Sequence, residues 1–231
     1  MHRPDLGEGS ALACLAAPPY TAGDLLTLRA LLHPDALPDR PAGHDTPPQP
    51  LAHTAGHAAL LAALGHAGTV TVLDGSAVAG TLTVADLDQP PVALTALSEI
   101  VLIESGLAFL ADRVSGGAWV DLLGGWRLAR ARRLAGGQVD SDRALLGLLS
   151  PGDRLHLAAR LELHTLLGPV VTAAQLRGFA ETASRLRTAV SNGDPLRQAF
   201  PEPADLLDRL AALTDLAVRM RTVLCTPGQG A

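Results

Sequence analysis

Residues 69–84 read Thr-Val-Thr-Val-Leu-Asp-Gly-Ser-Ala-Val-Ala-Gly-Thr-Leu-Thr-Val, and the architecture expected of the whole chain depends on how they fold. From Thr69 to Asp74, threonines alternate with β-branched side chains, the pattern of a short buried strand that stops at an acid. Gly75 to Gly80 then forms a turn of small residues before a second apolar run. A strand that ends in a carboxylate and enters such a turn suits a nucleotide-type cofactor. Small residues let the backbone approach the ligand, and the acid binds hydroxyl or amine groups.

The segment resembles the first motif of class I S-adenosylmethionine-dependent methyltransferases, Asp/Glu-x-Gly-x-Gly-x-Gly after a strand. Asp74, Ser76, Val78 and Gly80 fall at the motif positions, so Ser76 and Val78 stand where glycines are usual. The resemblance implies that these four residues hold S-adenosylmethionine. It also implies that Glu99 accepts from the ribose hydroxyls and that Asp121 lies near the adenine. The fold it implies is α/β, a mostly parallel Rossmann-like sheet with helices on both faces over residues 51–231. An N-terminal extension, residues 1–50, would precede that domain as a helix and a proline-rich linker.

Taken in order, the chain offers the expected parts. Residues 1–20 read as a loose segment, 21–32 as a helix with Thr21 at its N-cap, and 33–50 as an irregular linker. A helix over 51–64, closed by Gly65, leads into the strand at 69. A second strand is expected at 92–97, ending at Ser98-Glu99, where Glu99 also fits the first turn of the helix predicted over 100–114. Residues 119–122 and 126–134 are candidates for the third and fourth strands. Residues 140–149 read as a helix with Asp140 or Ser141 as its cap. Ser150-Pro-Gly-Asp153 followed by alternation over 154–160 resembles the fifth strand of the same family. Later come a helix at 172–182, a strand at 184–190, a helix at 201–216, an antiparallel strand at 219–225 and a loose end from Thr226.

Composition bounds the function. The 231 residues are enough for one well-buried domain, and 48% of them are apolar. All 18 basic residues are Arg, which reads as the coding bias of a GC-rich bacterium, and the net charge of −5 argues against general affinity for nucleic acid. Cys14 and Cys225 match no metal or redox spacing, so a reducing cytoplasm is the expected location. Ala11-Leu12-Ala13-Cys14 faintly matches a lipoprotein box, but Asp5 and Glu8 precede it and no long apolar stretch does. No run is expected to reach membrane-spanning length.

Other side chains are weighed on type and spacing. His53 and His57 are one helical turn apart, with His44, Asp45 and His66 near in sequence, a spacing that chelates a metal or merely decorates an Ala-rich helix. Arg127, Arg130, Arg132 and Arg133 form the densest positive patch, expected either as a solvated face or as a phosphate or nucleic-acid site. His156 and His164 are candidates for a general base by type alone.

The function implied by the resemblance is a methyltransferase-like protein of unknown acceptor, active or inactive. The alternatives are a non-catalytic scaffold or partner protein of the same Rossmann-like fold, and a DNA-binding helix-turn-helix regulator using residues 172–193. An oligomer stays open.

Overall fold

The computed structural model describes residues 20–32, 49–136 and 142–226. The expected loose start, most of the 33–50 linker, His44, Cys14 and the caps Asp140 and Ser141 lie outside them. The fold is predominantly helical, which corrects the α/β expectation. Among the described residues the only sheet has three strands, in the order β1-β2-β3: β1 Gln49–Ala52, β2 Thr69–Asp74 and β3 Ala77–Thr83. β1 runs parallel to β2, and β2 pairs antiparallel with β3 through a bulge between Val72 and Leu73. No mostly parallel Rossmann-like sheet is present among these residues.

The helices are α1 Ala22–Leu32, α2 His57–Ala67, α3 Pro90–Ser115, α4 Trp119–Leu122, α5 Gly125–Leu134, α6 Asp142–Leu145, α7 Pro151–Arg160, α8 Ala173–Asn192, α9 Leu196–Ala199 and α10 Pro203–Cys225. The chain divides into two compact units, with the divisions falling inside α3, α8 and α10.

The sheet-bearing unit draws, among the described residues, on 20–32, 49–97 and 184–215. Asp74 and Ala77 close the β2–β3 ladder around a two-residue loop, Gly75-Ser76, with Gly75 at φ +60°. Two-residue hairpin loops need positive φ at such a position, and Gly meets it without a Cβ penalty. The small-residue turn is therefore a hairpin tip. The expected helix over 51–64 is corrected to β1 followed by α2, which ends at Gly68 (φ +70°) and not at Gly65. Thr21 caps α1 as expected: its Oγ1 accepts from the Asp24 N–H at 3.2 Å, and Asp24 accepts from the Thr21 N–H at 2.7 Å. That backbone hydrogen bond, with the Thr21 hydroxyl, holds the Asp24 carboxyl below its usual range. Leu60, Leu64, Val70, Val72 and Leu82 are fully buried, and each such side chain stabilises by about 2 kcal/mol. Asp86 accepts from the Thr83 N–H at 2.8 Å and pairs with Arg29 at 3.2 Å, which fixes the 3-10 turn Val84–Asp88 after β3.

The helical unit draws, among the described residues, on 98–136, 142–183 and 216–226. Its core includes Ile103, Leu107, Leu110, Trp119, Leu157, Leu163 and Met220. α3 and α10 meet closely at Gly106, where a Cβ would stand 2.3 Å from the Met220 Sδ.

Six expected strands are helical. Residues 92–97 belong to α3, where Val92, Ala96, Ile100, Ile103, Leu107 and Leu110 recur every three or four positions on the buried side. Residues 119–122 form α4 and 126–134 form α5. Residues 154–160 form most of α7 because Ser150 and Asp153 make a reciprocal capping box and Pro151 begins the helix. Residues 184–190 continue α8, and 219–225 continue α10 through buried Leu213, Ala217, Met220 and Leu224. The helix-turn-helix expected at 172–193 meets one uninterrupted helix, without the turn that sets two helices at an angle. The expectation about apolar length also changes. α3, at 26 residues, is long and apolar enough to cross a membrane by composition, while 61% of its most apolar stretch is buried inside the fold.

Candidate functional site

The residues expected to hold a cofactor are placed in different settings. Asp74 and Ser76 are exposed at the hairpin tip, and Val78 is 68% exposed on β3. Gly80 is explained by packing: a Cβ there would come within 2.9 Å of Leu26, so its small size admits helix α1 against β3. These four belong to the sheet-bearing unit. Glu99, buried within α3, and Asp121, exposed on α4, belong to the helical unit. Asp74, Ser76, Val78 and Gly80 are neighbours only as members of one hairpin.

The histidines also part. His53 lies in the turn after β1, its ring filling the space where a Cβ on Gly23 would sit. His57 is buried at the start of α2, and its Nδ1 shares a hydrogen bond with the Tyr20 hydroxyl. The Thr21–Gly56 bridge brings Tyr20 and His57 together. Burial pushes the His57 pKa down to about 4, so the ring is neutral, and its Nε2 has no hydrogen-bond partner. Among the described residues no three His, Cys, Asp or Glu side chains gather as a metal site. His156 is half-buried on α7 and His164 lies in the 3-10 turn Leu163–Leu167.

The helical unit carries the more distinctive arrangement. Gly124 (φ +74°) turns the chain into α5, Gly-Trp-Arg-Leu-Ala-Arg-Ala-Arg-Arg-Leu, which has four arginines and no acid of its own. Ala131 is buried and Leu128 half-buried, so the opposite face looks outward. Trp126, Ala129 and Arg133 occupy that face at i, i+3 and i+7, and all three are exposed. Trp126 is 63% exposed, and the Arg127 guanidinium lies 4.6 Å from its ring centroid.

One buried acid holds this helix. The Asp153 Oδ1 lies 3.2 Å from the Arg127 Nε, and its Oδ2 accepts from the Arg130 Nη2. The same Oδ2 accepts from the Ser150 hydroxyl at 2.8 Å and the Ser150 N–H at 3.2 Å. One carboxylate thus caps α7 and holds the guanidinium groups of two arginines on α5. Sequence reasoning singled out the arginines and missed both Trp126 and Asp153. The Ser150-x-x-Asp153 spacing was the signal that could have found the latter.

In the same unit, Ser105, Ala108, Phe109 and Asp112 follow one another down a single stripe of α3 and line a cleft of about 180 Å³. Leu146 and Arg154 form its other wall. No protein-family model, curated protein or solved structure matches the chain.

Proposed function

We propose that the protein is a non-catalytic binding partner that takes up an acidic segment of another protein on the outward face of α5. The observation that carries this is Trp126: a large aromatic left 63% exposed, stacked by Arg127, on a helix with four arginines and no acid. Tryptophan and arginine are the side chains that most often anchor interfaces, since a rigid ring supplies apolar area and a guanidinium pairs carboxylates in a fork. The anchorage on Asp153 orders two of the arginines in advance, so less side-chain entropy is lost on binding.

Charge and face composition favour an acidic protein segment over other anions. Single-stranded nucleic acid is usually gripped by rows of stacking aromatics along a basic groove. Trp126 is the only aromatic among the exposed large apolar side chains of the described residues, and the chain's net charge is −5. A membrane-surface helix needs an apolar face, whereas Arg133 stands in the middle of this one.

The test uses tryptophan emission, because Trp119 is fully buried and Trp126 reports the surface. A repeating Glu-Glu-Leu peptide should shift the emission and a Gln-Gln-Leu peptide should not. Trp126→Phe identifies the reporter, and Arg133→Glu should weaken binding at least tenfold. A single-stranded oligonucleotide or phosphatidylserine vesicles that bind more tightly than the acidic peptide would overturn the assignment.

A further inference from the structure

The outward face of α5 has a chemical complement in this chain's own sequence. Arg133 is exposed on that face and pairs with no acid among the described residues, unlike Arg127 and Arg130, which Asp153 holds. Trp126 stands seven residues earlier on the same face, about 10 Å along the helix axis. Residues 201–208 read Pro-Glu-Pro-Ala-Asp-Leu-Leu-Asp and lead into α10. Pro203 suits the first helical position, and the Glu202 carbonyl accepts from the Leu206 N–H at 3.1 Å. With Leu206, Leu207 and Leu210 buried, Pro201, Glu202, Pro203, Ala204 and Asp208 are left exposed.

Two of the three acids in this stretch have ordinary structural uses. Asp205 lies in the first turn of α10, where the helix dipole favours a negative charge, and it pairs with Arg209 at 3.0 Å. Glu202 directly precedes the helix and meets the same field. Asp208 lies beyond the first turn, where that field has faded, and it makes no ion pair among the described residues. An unpaired cation on α5 and an unpaired anion on α10 are thus both exposed, each beside apolar surface. We propose that, resting on the acidic-segment role of α5, the partner is a second copy of this chain, which presents residues 201–208. Its Asp208 pairs with Arg133, and its exposed Pro201, Pro203 and Ala204 cover Trp126. The lengths agree as well as the charges. Pro201 and Asp208 are seven residues apart, as are Trp126 and Arg133, so pairing at one end leaves apolar surface facing the ring at the other. An aromatic covered beside a charged pair is how interface tryptophans and arginines commonly contribute.

Sedimentation velocity on the full chain, over a hundredfold range of concentration, tests this by charge swap. The parent should self-associate, and Trp126 emission should move to the blue as it does, while fully buried Trp119 stays constant. Arg133→Glu and Asp208→Arg, both at exposed positions, should each weaken association at least tenfold. The double variant carrying both changes, and an equimolar mixture of the two single variants, should each recover it. Excess Glu-Glu-Leu peptide should dissociate the parent. Asp208→Arg leaves α5 intact and should bind that peptide at least as tightly as the parent. Peptide binding by a parent that stays monomeric would overturn the second-copy assignment and leave acidic-segment binding by α5 standing. Failure of the peptide to bind parent and variants alike would remove the role on which the assignment rests. Single variants that associate as the parent does, or a double variant that does not recover, would also overturn it.

Discussion

Replacing Asp153 should loosen α5 and α7 together, and the size of the effect follows from its contacts. The carboxylate side chain is 4% exposed, while Arg127 and Arg130 are 27% and 39% exposed. Loss of the capping box costs about 1 kcal/mol. Each charge-assisted pair is worth about 1 kcal/mol once the partial exposure of the arginines is allowed for. Asp153→Ala should therefore cost about 3 kcal/mol. Asp153→Asn keeps an oxygen for the cap but loses the charge, so it should cost about 2 kcal/mol. Urea unfolding followed by circular dichroism measures both, and Trp126 emission reports whether α5 leaves its seat before the global transition. An Ala variant within 1 kcal/mol of the parent, or an Asn variant as stable as the parent, would refute the claim that this one acid organises the two helices.

The His57 ring gives a pH prediction. Its folded pKa of about 4 lies below the ordinary 6.5, so the unfolded chain takes up the proton first and stability falls as pH drops from 6.5 towards 4. The cumulative loss is about 3 kcal/mol. His57→Leu should flatten that slope in urea titrations, and an unchanged slope would contradict the burial of a neutral ring. At the α3–α10 contact, Gly106→Val should destabilise by about 2 kcal/mol, because Met220 is buried and has little room to retreat. At the hairpin tip, Gly75→Val should cost about 2 kcal/mol for its positive φ, and Gly75→Asn distinctly less; equal costs for the two would argue against that turn.

Much of the fold was written in local signals that compete with one another. The strand at 69–74 and the helix capped by Thr21 were legible because alternation and capping are short-range. Asp74-Gly75 between two apolar runs was also a hairpin signal. Taken as a cofactor motif, it implied a crossover connection where the chain simply turns back. Residues 92–97 and 184–190 were ambiguous for a physical reason. A six- or seven-residue apolar run fits either period, and only the longer three-and-four spacing of buried positions, visible across the whole of α3 and α8, resolves it. At residues 150–153, Asp153 stood where the resembling motif has a second glycine, and that departure was the helix signal itself. The site was less legible than the fold. The arginine cluster could be named from sequence, but which face of α5 meets solvent depends on Ala131 being buried, and the pairing of Asp153 with Arg130 joins elements 23 residues apart.

The most direct test titrates the intact chain, in one calorimeter, with S-adenosylmethionine and then with the Glu-Glu-Leu peptide. Binding through α5 predicts heat with the peptide that Trp126→Ala reduces by on the order of 2 kcal/mol in binding free energy, and none with S-adenosylmethionine. Heat with S-adenosylmethionine that Asp74→Ala removes, with none from the peptide, would contradict it.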